Sequence, residues 1–203
     1  MKNYKAASMD RRSLLKGLGL VLGAHAANTL VSGNGLSVAM AFQQTPEGNR
    51  QLQLLTASQL QTLAVIGDLS IPKTDTPGAL ATDCHWFVDN QLHHCFEPQE
   101  QETVVAILDK IQAASVARFG NGFSQTEPAR QLSLLNALEQ TQQEFSLTDT
   151  QAFKLVKSLL VFGYFTSEVG MTKVLAYDPV PGGFKGSVPY ASVGKAYSGG
   201  FPF

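Results

Sequence analysis

The stretch DCHWFVDNQLHHC, Asp83 to Cys95, carries the densest set of chemistry-bearing side chains in this 203-residue chain. On a helix, His85, Asp89 and His93 fall at i, i+4 and i+8, so adjacent pairs share a face and could hold a metal ion between them. His85 and His93 would stand about 12 Å apart along the axis, too far to join one ion. A metal site there needs a further ligand from a second element; the plainer reading is a polar helix face with partly buried histidines. Cys84 and Cys95 are the two cysteines. Helical spacing puts their Cα atoms about 16 Å apart, whereas a disulfide needs less than about 7 Å. They read as two free, mostly buried thiols.

Other catalytic signatures are missing from the sequence. It has no C-x-x-C-H haem attachment pattern and no paired C-x-x-C knuckles. Neither a G-x-G-x-x-G fingerprint nor a Walker loop occurs, and no G-x-S-x-G elbow presents a serine nucleophile. Carboxylates such as Asp68, Asp75 and Glu168 are scattered, and no spacing pairs them for acid–base work.

The opening residues carry a different kind of information. Lys2, Lys5, Arg11, Arg12 and Lys16 precede or enter a short apolar run, Leu14 to Ala26, broken by Gly17, Gly19 and Gly23. That run is too short to span about 30 Å of hydrocarbon. It reads as a targeting signal. The motif DRRSLLK resembles the bacterial twin-arginine export signal, with Arg11 and Arg12 as its pair; such signals are addresses read by a receptor, not anchors. A small-x-small cleavage pattern occurs both at Ala24–Ala26 and at Ala39–Ala41. The expected organisation is a signal and linker over 1–41, a helical domain over 42–177 and an extended tail over 178–203.

Composition limits the class of function. The chain has 15 Lys and Arg against 16 Asp and Glu, and five of those cations but only Asp10 precede residue 42. The chain from residue 42 onward is therefore distinctly acidic, which argues against a nucleic-acid partner. Charged residues make up 15 % of the chain and hydrophobic ones 44 %. So lightly charged a surface implies that part of it is covered by another protein.

The elements that must position these residues read as helices throughout. Thr56 and Gln59 form a capping-box pattern ahead of Leu60, Leu63, Ile66 and Ile71, and Pro72 ends that helix. After the turn KTDTPGA, Pro77 suits the first position of a second helix with Leu80, Cys84, Phe87 and Val88 on one face. Val104, Ile107, Leu108, Ile111 and Ser115 mark a third helix after Pro98. A stripe of Leu132, Leu135, Leu138 and Gln142 marks a fourth, and Ser146 caps a fifth. Sustained alternation is absent, so the expected fold is all-α, a compact bundle of five or six helices. From Asp178 onward the sequence turns to Gly, Pro and aromatics. Its low charge and its rings favour docking of this tail over disorder.

Three stretches together resemble one family. LAVIGDLSIPKTDTPGALATDCHWFVD, LVFGYFTSEVGMTKVLAYDPVPGGFKG and the twin-arginine leader are similar to subunit 3 of gluconate 2-dehydrogenase, the small subunit of bacterial sugar and polyol dehydrogenase complexes. The likeness runs from about Leu54 to Pro189, and GYFTSEVG…YDPVPG is its most specific part. It implies a non-catalytic subunit without a cofactor of its own, partnered with an FAD-containing (GMC-type) large subunit. It also implies export of both proteins through the twin-arginine (Tat) translocase, a cytochrome c subunit in some complexes, and a periplasmic site on the outer face of the inner membrane.

Among the matching positions, Pro72, Asp75, Pro77, Gly78, Gly163, Thr166, Ser167, Glu168, Gly170, Asp178, Pro179 and Gly182 are expected to hold the bundle's turns. Asp75 and Thr76 would serve the amides of the following helix, and Thr166 or Ser167 would cap the next, with Glu168 in its first turn. Tyr164, Phe165, Tyr177, Pro181, Phe184, Tyr190, Tyr197, Phe201 and Phe203 are expected to face the partner. The resemblance implies a cysteine in many relatives where this chain has Ser187; if that cysteine bridges to their large subunit, the interface here rests on non-covalent contacts or uses Cys84 or Cys95. The competing expectation is a free-standing periplasmic helical binding protein that holds a metal through His85, Asp89 and His93.

Overall fold

A computed structural model describes residues 50–176, 183 and 187–197. Five α-helices form the domain: α1 Ala57–Ser70, α2 Cys84–Cys95, α3 Pro98–Phe119, α4 Pro128–Glu139 and α5 Leu147–Thr166. A one-turn helix α6, Tyr190–Val193, lies in the C-terminal segment. No strand occurs among the described residues, where the one extended pairing is an isolated parallel bridge between Ala176 and Tyr197. The all-α bundle is as the sequence predicts.

Helix starts follow the local chemistry closely. Thr56 Oγ1 accepts from Gln59 N–H at 3.3 Å while Gln59 Oε1 accepts from Thr56 N–H at 2.9 Å. Gln59 then reaches across to donate to Asp109 of α3 at 2.7 Å. Pro98 and Pro128 occupy first-turn positions, where a missing N–H costs nothing, and Ser146 with Asp149 forms the box that opens α5. Burial works to raise the Asp149 pKa, but donors from Lys110 and Ser146 outweigh it and hold the carboxyl below its usual range. Gly120 ends α3 in the left-handed conformation, φ 76°.

The two long helices, α3 and α5, pack on each other, and α1, α2 and α4 all touch both. Val104, Ile107, Leu108, Ile111 and Ser115 of α3 are all buried, the predicted stripe, in the same core as Phe153, Val156 and Leu160 of α5. Two stripes differ from expectation. On α4 the inward residues are Gln131, Leu134, Leu135 and Leu138, and Leu132 is 48 % exposed; the helix stops at Glu139, short of Gln142. Leu80 likewise stands outside, because the second helix begins later than Pro77.

That delay has a visible cause. Ile71 O accepts from Ala79 N–H at 2.9 Å, closing residues 71–79 into a tight loop. A 3-10 turn, Leu80–Thr82, follows, and Asp83 takes a left-handed φ of 54° before α2 begins. Asp75 and Thr76 therefore do not cap α2. Thr74 Oγ1 donates to Asp75 at 2.9 Å and Thr76 O accepts from Thr74 N–H at 3.0 Å, so both serve the loop itself.

Candidate partner surface

The side chains of α2 that suggested metal chemistry are put to structural use. Asp89, 1 % exposed, accepts from three consecutive backbone N–H groups: Gln53 at 2.8 Å, Leu54 at 3.1 Å and Leu55 at 2.7 Å. Those bonds already engage both carboxylate oxygens. His85 is half-buried, its Nδ1 enclosed without a protein partner, while His93 is exposed with its ring edge-on to His94. Burial pushes the His85 pKa down; nearby Asp83 opposes this and Arg50 adds to it. Among the described residues no three His, Cys, Asp or Glu side chains gather as a metal site. Cys84 and Cys95 are free thiols at opposite ends of α2, the first 3.0 Å from Thr82 Oγ1, and burial raises the pKa of both.

The two stretches that carry the family resemblance, nearly ninety residues apart, meet at one end of the bundle. Tyr164 Oη donates to Pro77 O at 2.8 Å, fastening the end of α5 to the loop before α2. Gly78 is pressed against that loop's own backbone: a Cβ there would stand 2.6 Å from Ile71 O and 2.7 Å from Lys73 N. After α5 the chain doubles back. Ser167 Oγ donates to Tyr164 O at 2.6 Å and accepts from Gly170 N–H at 3.1 Å, opening a π-turn over Gly170–Val174. Ser167 thus provides the predicted cap, with exposed Glu168 beside it. Thr166 instead donates to Phe162 O, 2.7 Å away.

Tyr164 departs from its expected role. It is buried, with its hydroxyl spent on Pro77 O, so its ring belongs to the core and not to an outer face. Phe165 does face outward, at 38 % exposed. With Val161 and Phe162 it forms an apolar end to the outer stripe of α5, which begins with exposed Leu147 and is polar between, at Gln151, Lys154 and Ser158. Phe162 packs its ring on Phe87, centroids 5.9 Å apart, and Phe165 sits edge-on to Tyr164 at 5.3 Å. The patch is thus held on rigid elements. Its exposed rings gain by being covered.

The C-terminal segment returns to the same end of the domain. Ala176 N–H donates to Ala196 O at 2.8 Å, and Lys195 Nζ donates to Lys173 O at 2.7 Å. Tyr190 and Tyr197 stay exposed, the former at 73 %. Arg11, Arg12, Tyr177, Asp178, Pro179, Pro181, Gly182, Phe184, Phe201 and Phe203 lie outside the described residues. No described helix is long and apolar enough to cross a membrane.

One consequence of this junction is measurable. Tyr164→Phe removes only the hydroxyl, leaving Pro77 O to find water at the loop's edge. A single lost hydrogen bond of this kind is expected to lower stability by about 1 kcal/mol. Thermal unfolding reads the total, and hydrogen exchange at Ala79 and Cys84, whose N–H groups hold the loop and the start of α2, reads the location.

The profile of one protein family, described as Gluconate 2-dehydrogenase subunit 3, matches residues 57–182 of the chain. That stretch contains all five α-helices, the 71–79 loop and the π-turn. No curated protein and no solved structure matches.

Proposed function

Because the chain belongs to the gluconate 2-dehydrogenase subunit 3 family, by its name a component of a multi-subunit dehydrogenase, we propose that it is the non-catalytic small subunit of an FAD-dependent sugar, polyol or sugar-acid dehydrogenase. In this reading the flavin and the chemistry reside in a GMC-type large subunit, which docks on Val161, Phe162 and Phe165 beside the 71–79 loop. The small subunit stabilises the large one and supplies the export address, Arg11 and Arg12, for both. The complex then works in the periplasm on the outer face of the inner membrane, where a cytochrome c subunit takes the electrons.

The observation that carries the reading is the apolar end of α5, raised on the two family stretches and left exposed by the chain's own fold. The middle of the same helix stripe is polar, so exposed apolar residues are not a general feature of it. A partner of complementary surface accounts for them at this end.

The test is a pull-down of the full chain, tagged after Phe203, from its native host. The expected eluate holds a larger protein in equal amount and shows flavin absorbance, and both proteins come from the exported fraction. Replacing Arg11 and Arg12 by lysine should leave both in the cytoplasm, since twin-arginine signals are read by a receptor. A chain that elutes alone and colourless overturns the subunit reading. A flavoprotein partner exported regardless of the lysine pair overturns only the address.

A further inference from the structure

The first described residues are tied to a helix that begins more than thirty positions later. Arg50 pairs with Asp83 at 2.6 Å, its side chain 13 % exposed. Immediately after it, the N–H groups of Gln53, Leu54 and Leu55 converge on the buried Asp89 carboxylate. Residues 50–55 form no helix, so these N–H groups have no helical partner. The dependence is mutual: a carboxylate enclosed this fully costs several kcal/mol without donors, and three charge-assisted N–H bonds supply them.

Asp89 stands on α2, which packs against α1 and follows the 71–79 loop that Ala79 N–H closes onto Ile71 O. We infer that Asp83 and Asp89 form a latch that fixes the junction between the N-terminal extension and the domain once α1, the loop and α2 are assembled. An incomplete domain leaves residues 50–55 open; a complete one seals them. The latch itself rests on geometry alone. Its use as a check that folded cargo accompanies the export address rests on the proposed subunit function.

Arg50 offers a direct readout, because between Lys16 and Lys73 it is the sole site at which trypsin cuts. The experiment is trypsin cleavage of the native full chain, scored by appearance of a fragment starting at Gln51, together with hydrogen exchange. Asp89→Asn keeps the shape but removes the charge and sets an amide donor against at least one of the three N–H groups. It is expected to speed the cut after Arg50 by at least about tenfold, the weight of one charge-assisted hydrogen bond. Gln53, Leu54 and Leu55 should lose protection while α3 and α5 keep theirs. Asp83→Asn, which frees Arg50 from this pairing alone, should give a smaller acceleration with those three amides still protected.

An unchanged cutting rate in Asp89→Asn overturns the latch. So does loss of protection across every helix at once, because the carboxylate is then a strut of the whole core. If Asp89→Asn does not accumulate, Asp83→Asn decides: faster cutting at Arg50 in a protected domain supports the latch, and an unchanged rate overturns it. Export of the Arg11, Arg12 lysine variant, followed separately, bears on the address and leaves the proteolysis result standing.

Discussion

Gly170→Ala is expected to lower the melting temperature by about 10 °C and to strip the chain of its partner. A Cβ at this position would stand 2.1 Å from Tyr164 O and 2.7 Å from Phe165 Cα. Both are backbone atoms of the last turn of α5, so no side chain can swing away to make room. The π-turn must shift, and with it Ser167, which bonds Tyr164 O and Gly170 N–H together. Overpacking against fixed backbone costs up to about 3 kcal/mol, and each kcal/mol moves the midpoint of a domain this size by about 2–4 °C. Gly67→Ala is the control. Its Cβ would meet Leu160 Cδ2 at 3.4 Å and Ala79 Cβ at 3.5 Å, ordinary contact, on a helix that favours alanine. Thermal unfolding should therefore separate two identical substitutions by several degrees or more. Equal midpoints would show that the turn after α5 is not held against the helix end.

The capping box at Thr56, the cap at Ser146, the buried face of α3 and the free thiols were legible because they depend on neighbours within one or two turns. Gly170 could be flagged from its place in a family stretch, but its reason, a carbonyl six residues back, lies in how the chain reverses. Pro77 illustrates a more local failure. Pro98 and Pro128 each follow an extended glutamate and open a helix, whereas the residue after Pro77 is locked against Ile71 and Lys73 by loop closure. The α4 stripe failed for another reason. QLSLLNAL offers apolar residues on two adjacent faces, and only the position of α3 and α5 decides that Leu134 turns inward and Leu132 outward.

Asp89 is the most instructive case. Its spacing from His85 and His93 allowed a metal as the lesser reading beside a plain polar face, and its partners are the amides of Gln53, Leu54 and Leu55. Every residue but proline carries an N–H, so such partners leave no mark on a sequence. Tyr164 and Phe165 pose a related ambiguity. Adjacent rings on a helix point about 100° apart, and nothing local tells which faces inward. The carbonyl of Pro77 settles it: the ring with a hydroxyl goes in, where it has a donor's task, and the plain ring stays out.

That division of labour makes Phe165 the sharpest probe of the proposed docking face. Phe165→Asp should leave the fold largely intact, since the ring is 38 % exposed and its aromatic pairing is edge-on to Tyr164. Such a pairing contributes about 1 kcal/mol. At an interface the same change puts a charge where apolar surface must be desolvated, and central aromatic positions typically carry about 2 kcal/mol or more, about a thirtyfold loss of affinity. Leu147→Asp, at the other end of the same helix and 63 % exposed, alters charge equally but lies about 27 Å away. Co-purification with the proposed flavoprotein should fail for Phe165→Asp and persist for Leu147→Asp, with both melting within a few degrees of the parent chain. The reverse pattern would move the interface to the start of α5. Retention by both would mean that the exposed rings at the end of α5 are not where the partner binds. A partner lost only when Gly170 is changed would then point to the π-turn itself, and to the segment that Lys195 and Ala196 fasten beside it.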